Sequence, residues 1–220
     1  MSQASTRSDA RDVRAEDAFD VAALAAWLQD FVGNETLSST PDVRQFSGGA
    51  SNLTYLLQYP ERDLILRRPP GGRHAGAAHD MGREYQVQTA LNPVFDYAPA
   101  TVALCEDDEV IGTPFYVMER LDGLISRKEL PPEVDLTAAQ VQALCTNVLD
   151  VLVDLHTLDP EAAGLNWMSK GPGYVNRQVT GWSDRYRRAK TWNVGSFESV
   201  MTWLADNQPT PDGIRSVLHD

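Results

Sequence analysis

With 220 residues, 42% of them hydrophobic, the chain can bury a sizeable core, and its formal charge of −12 disfavours a grip on nucleic acid or an anionic bilayer. Its two cysteines, Cys105 and Cys145, stand far apart inside apolar runs, which reads as two buried thiols in a reducing, cytoplasmic setting. No uninterrupted run approaches the ~20 apolar residues of a bilayer span, and the opening "MSQASTRSDARDVRAED" lacks the apolar centre of a signal peptide.

Residues 1–16 are polar and charged, cannot bury enough surface to offset their ordering, and are expected to be a disordered tail. In "FDVAALAAWLQDFVG", Val21, Leu24, Leu28 and Phe31 recur at helical spacing up to Gly33, a residue suited to the left-handed cap. The runs "VRQF", "LTYLLQY" and "DLILR" are short and rich in strand formers, and predict an antiparallel meander. A glycine-rich connection leads to "MGREYQVQTAL", one helix, and "ATVALCED" and "TPFYVMERLDG" supply two more strands around an acidic turn at Asp107, Asp108 and Gly112. Beyond Gly123, Val141, Leu144, Cys145, Val148, Leu152 and Leu155 set out a long helix closed by "DPEAAG". Two further helices follow, in "GYVNRQVTGWSDRYRRAKT" and "FESVMTWLADNQP". Strands first and helices afterwards predict an α+β chain of two lobes.

Between the first two strands, "SGGASN" places Gly48 and Gly49 where bare backbone can approach an anion, with Ser51 and Asn52 as hydrogen-bond donors. Taken alone, such a string is also an ordinary hairpin turn. On the strand "LILRR", alternation puts Ile65 and Arg67 on one face and Leu64, Leu66 and Arg68 on the other, so only one arginine can share the face of the loop's site. His74 and His79 lack a nearby third ligand and read as solvated side chains. His156 closes the long helix, and Trp167, Trp182, Trp192 and Trp203 read as core or interlobe packing.

In order, "FSGGASNLTYLL", "LILRRPP", "MGREYQVQTAL", "PFYVMERLDG" and "VLHD" resemble the aminoglycoside phosphotransferase family, in its branch related to the kinase-like domains fused to acyl-CoA dehydrogenases. The resemblance covers residues 20–220. It implies a protein-kinase-like two-lobed fold: an N-lobe at 17–118 with a five-stranded antiparallel sheet and one helix, a hinge at 119–123, and a partial, mostly helical C-lobe at 124–220. It further implies an ATP-dependent kinase acting on the hydroxyl of a small molecule, with neither nucleic acid nor membrane as a partner.

Residue by residue, the resemblance implies that the amides of Gly49, Ala50 and Ser51 hold phosphates beside Gly48 and Asn52, and that Arg67 takes the place of the strand cation on the α- and β-phosphates. Arg68 becomes a surface cation. Glu84 would pair with Arg67, Met118 would line the adenine pocket, and the main chain of Glu119 and Leu121 would bond the base. His219 corresponds to the histidine opening the catalytic loop. The metal-binding residues for Mg and the catalytic base are then expected beyond residue 220, which makes this chain a fragment inactive alone. An alternative is a non-catalytic, pseudokinase-like nucleotide-binding or interaction module. Residues 131–165 carry six acids and no Lys or Arg, which suits a cationic aminoglycoside but also any solvated helix face; the branch points instead to a hydroxylated acyl compound.

Overall fold

A computed structural model of the chain describes residues 10–33, 35–47, 52–70, 79–123, 130, 134–169 and 171–209. The chain divides into two compact units, Met1–Thr157 and Leu158–Asp220.

The first unit is built on a six-stranded sheet of β1 (Ala10–Arg11), β2 (Asp42–Phe46), β3 (Leu53–Gln58), β4 (Asp63–Arg68), β5 (Thr101–Cys105) and β6 (Phe115–Glu119). Every neighbouring pair is antiparallel, in the order β1-β2-β3-β4-β6-β5. The predicted meander is β2 to β4, and the sixth strand comes from the segment expected to be disordered. Ala10 and Arg11 pair with Phe46 and Gln45, and the Gln45 side chain joins the segment by accepting from Arg14 N at 3.0 Å and donating to Asp17 Oδ2 at 2.8 Å. A polar segment is thus held by hydrogen bonds to an edge strand, where an argument from apolar burial finds nothing.

Period-2 alternation gives the sheet two unlike faces. Tyr55 and Leu57 of β3, Leu64 and Leu66 of β4, Ala103 and Cys105 of β5, and Phe115 and Val117 of β6 pack with Leu24, Leu28 and Leu37 into the core. Leu24 and Leu28 come from α1 (Val21–Val32), whose start is capped by the Asp20 carboxylate accepting from Ala22 and Ala23 N at 2.9 Å. Gly33 ends α1 at φ 63°, as its sequence position predicts. The acidic turn after β5 forms one further helical turn, α3 (Asp108–Ile111), because Asp107 caps it and Gly112, at φ 84°, closes it.

Arg68 lies on this core face and is buried, contrary to its expected place at the surface. Its guanidinium donates to Asp17 O at 2.5 Å and to Tyr55 Oη at 2.9 and 3.1 Å, and sits 5.0 Å from the Phe19 ring centroid. A buried cation is tolerable only when its N–H groups are engaged, and here a backbone carbonyl, a phenol and two ring faces meet that need.

On the other face lies α2 (Met81–Leu91), which touches β5 and β6; the hydroxyls of Thr89 and Thr101 meet at 2.7 Å. After β6 comes α4 (Ala138–Thr157), the predicted long helix, none of whose residues is buried. By length and composition α4 could cross a bilayer, which the apolar-run argument did not suggest because polar residues such as Gln142, Asn147, Asp150 and Asp154 interrupt the run. Cys145 lies on α4 and is exposed, while Cys105 is buried as expected.

In the second unit, α5 (Tyr174–Ala189) packs on α6 (Glu198–Asp206). Tyr186 meets the Phe197 ring edge-on and donates to Gly195 O at 2.7 Å, while Arg187 pairs with Glu198 at 2.8 Å. Trp182, Trp192 and Trp203 are exposed, at 61%, 98% and 62%, and so is Trp167 on a short 3-10 turn, so of the core or interlobe packing expected for them, packing in a core is not seen.

Candidate active site

Arg67 stands on the face of β4 away from the core, flanked by Thr54 on β3 and Tyr116 on β6. One step along the strand separates it from the caged Arg68 and turns its side chain to the opposite face, as alternation predicts. Its partner arrives on α2. The Asp80 carboxylate accepts from Arg83 N at 2.9 Å and so fixes where α2 starts, which puts Glu84 in the first turn.

Glu84 Oε2 lies 3.1 Å from Arg67 Nε, with both side chains about one-third exposed. The Nε–H of Arg67 is not directed along this contact, so the two form an ion pair without a hydrogen bond. Among the described residues, the Nη nitrogens of Arg67 carry no bond, which leaves the outer fork of the guanidinium available to an anion.

The Glu84 carboxylate is held from three sides. Tyr116 Oη donates to Oε2 at 3.1 Å, and Asn52 Nδ2 donates to Oε1 at 2.5 Å. Tyr116 is 1% exposed, and burial pushes its phenol well above the ordinary tyrosine value, with the neighbouring Glu84 adding to the shift and Arg67 opposing it. The phenol therefore stays protonated, and a donor, throughout the neutral range. Tyr85 packs edge-on to the same ring at 6.3 Å.

Asn52, expected to donate to a ligand, is buried and gives an amide N–H to Glu84. His79, expected to be solvated, is half-buried with Nδ1 3.0 Å from Asn52 Oδ1. Neither partnership has a local sequence signal, because the residues joined are 32 and 27 positions apart.

Met118 shares the Arg67 face of β6 and pairs in register with Ile65. Glu119 N donates to Ala100 O at 2.8 Å, its carboxylate pairs with Arg62, and Leu121 is exposed. The sequence reading passed over Arg120, a largely buried cation paired with Asp63 at the start of β4. Gly48, Gly49, Ala50, Ser51, His74 and His219 lie outside the described residues.

A polar hollow of about 270 Å³ opens among Tyr59, Glu61, Arg62, Asp63, Arg120 and Asp122. It sits at the opposite end of β4 from Arg67, roughly 13 Å away at the rise of a strand, and its cations are engaged by Asp63, Glu119 and Asp122. Among the described residues there is no group of three or more His, Cys, Asp or Glu side chains that could hold a metal ion.

The model of the phosphotransferase enzyme family matches residues 42–220. Acyl-CoA dehydrogenase family member 11 of Gallus gallus is 34% identical over 210 residues, 94% of this chain and 27% of that protein. Acyl-CoA dehydrogenase family member 10 of Mus musculus is 34% identical over 200 residues, 90% of this chain and 18% of that protein. A crystal structure assigned as an aminoglycoside phosphotransferase of Ralstonia eutropha superposes with a TM-score of 0.69 at 32% identity, covering 89% of this chain and 55% of that one. The chain thus spans about a quarter or less of the length of these two curated relatives.

Proposed function

The chain belongs to the phosphotransferase enzyme family, and from that membership we propose that it supplies the ATP-holding part of a small-molecule kinase that phosphorylates a hydroxyl group. The observation that carries this reading is the Arg67–Glu84 pair, met at 3.1 Å on the sheet face opposite the core. Phosphoryl transfer demands positioned charge more than covalent chemistry from the protein. Arg67 anchors α- and β-phosphate oxygens through its outer nitrogens, and Glu84 holds the guanidinium in place from its inner edge.

Met118, on the same face, lies beside the base, with the main chain of Glu119 and Leu121 as its hydrogen-bonding edge. The residues of the glycine run 48–51 have the small side chains that close approach of amides to phosphate requires, and His219 is placed in the catalytic loop by resemblance alone. A magnesium ion would neutralise phosphate charge during transfer; the described residues include no cluster fit to hold it. The acceptor we favour is a hydroxylated acyl compound over an aminoglycoside, in keeping with the acyl-CoA dehydrogenase relatives.

Calorimetric titration with ATP tests the nucleotide reading. A charge-assisted contact of this kind is worth about 1.5 to 3 kcal/mol, so Arg67→Ala should weaken ATP binding about tenfold or more. ATP affinity unchanged by that substitution would contradict it.

A further inference from the structure

Glu84 can steady Arg67 only if its own carboxylate is kept from swinging out to solvent. A glutamate side chain has three rotatable bonds, and one ion pair with a part-exposed arginine does not hold them. The described residues provide two further restraints, Tyr116 from the sheet and Asn52 from the far side. Asn52 is 4% exposed, so both ends of its amide need partners. Because a carboxylate at neutral pH only accepts, the end facing Glu84 is the N–H₂ and the end facing His79 is the carbonyl. His79 Nδ1, 3.0 Å from that carbonyl, therefore carries the ring hydrogen and donates it.

We propose that Asn52 and His79 are positioning residues that lock Glu84 against Arg67. The order is a relay: His79, just before the Asp80 cap, fixes the Asn52 amide; Asn52, one residue past the glycine run, fixes Glu84 Oε1; Glu84 Oε2 fixes Arg67.

The inference rests on the nucleotide reading, and its test separates the two. Asn52→Asp keeps the shape but sets a second carboxylate against Glu84, and ATP binding measured by calorimetry should weaken about tenfold. Adenosine, which has no phosphate, should bind as to the unaltered chain. His79→Ala should cost about threefold in ATP affinity and His79→Asn, whose amide N–H₂ occupies the place of Nδ1, should restore it. ATP affinity unchanged in Asn52→Asp, or ATP and adenosine weakened equally, would overturn the proposal. If the unaltered chain binds no ATP, the nucleotide reading falls and the relay is judged by nitrogen NMR of the His79 ring. A hydrogen resident on Nδ1 that is lost in Asn52→Ala upholds the relay, and a ring unaffected by that substitution removes it.

Discussion

The two faces of one sheet, a residue apart, treat the same side chain in opposite ways. On the core face the Arg68 guanidinium is enclosed by Tyr55, Phe19 and the Asp17 carbonyl and has no access to a ligand. On the α2 face Arg67 is gripped only along its inner edge, by a carboxylate that three neighbours surround. What an arginine can do here follows from strand parity: on one side the cation is a strut, and on the other it keeps its outer nitrogens open to a ligand. If that is right, substitutions on the core face should change stability, and those on the α2 face should change affinity.

The largest expected effect is on the core face. Phe115 is fully buried against Trp27, their rings 5.1 Å apart and edge-on, and Phe115→Ala should cost about 3 to 5 kcal/mol in urea unfolding. A loss below about 1 kcal/mol would mean that this face is not the core. Arg68→Met keeps the apolar stem but removes the donors. Since Tyr55 Oη also donates to Asp17 O at 3.0 Å, the two acceptors left behind can still satisfy one another, and the expected loss is about 2 kcal/mol.

On the other face, Arg67→Ala should change the free energy of urea unfolding little, by about 1 kcal/mol or less, because its ion pair is part-exposed. A loss as large as that from the Arg68 substitution would erase the distinction between the faces. A comparably small effect is that of Tyr116→Phe, which removes one hydrogen bond to Glu84 and should cost about 1 kcal/mol. Its clearer signature is in alkali. The Tyr116 phenol is raised in the folded state, so its contribution is fully present below the ordinary tyrosine value and is lost as pH climbs through the higher folded one. Absorbance titration should show one late-ionising tyrosine fewer in the variant; an unchanged profile would show that Tyr116 is not held as described.

The parity of the arginines and the position of Glu84 were legible because both follow from local rules: alternation along "LILRR", and the order of motifs leading to the helix of "MGREY". Arg68 was misjudged because its cage includes the Asp17 carbonyl, and a backbone acceptor leaves no mark in a sequence. The segment around Ala10 was misjudged for a related reason, since edge-strand pairing and the Gln45 bonds hold residues whose composition suggests disorder. Asn52 and His79 were seen individually, but their partnership was not, because it is made only when β3 and α2 come together. For Cys145 and the exposed tryptophans the failure is different: periodicity identifies an apolar face, not what covers it. The division of the chain after Thr157 groups α4 with the first unit.

The central claim, that Arg67 binds phosphate while Arg68 supports the sheet, is tested most directly by measuring the ATP-induced shift in melting temperature for Arg67→Ala and Arg68→Met side by side. A ligand that binds only the folded chain raises its stability according to its affinity. The account predicts that Arg67→Ala melts close to the unaltered chain but loses most of the shift, while Arg68→Met melts lower and keeps it. The reverse pattern, with the shift abolished by Arg68→Met and intact in Arg67→Ala, would contradict it.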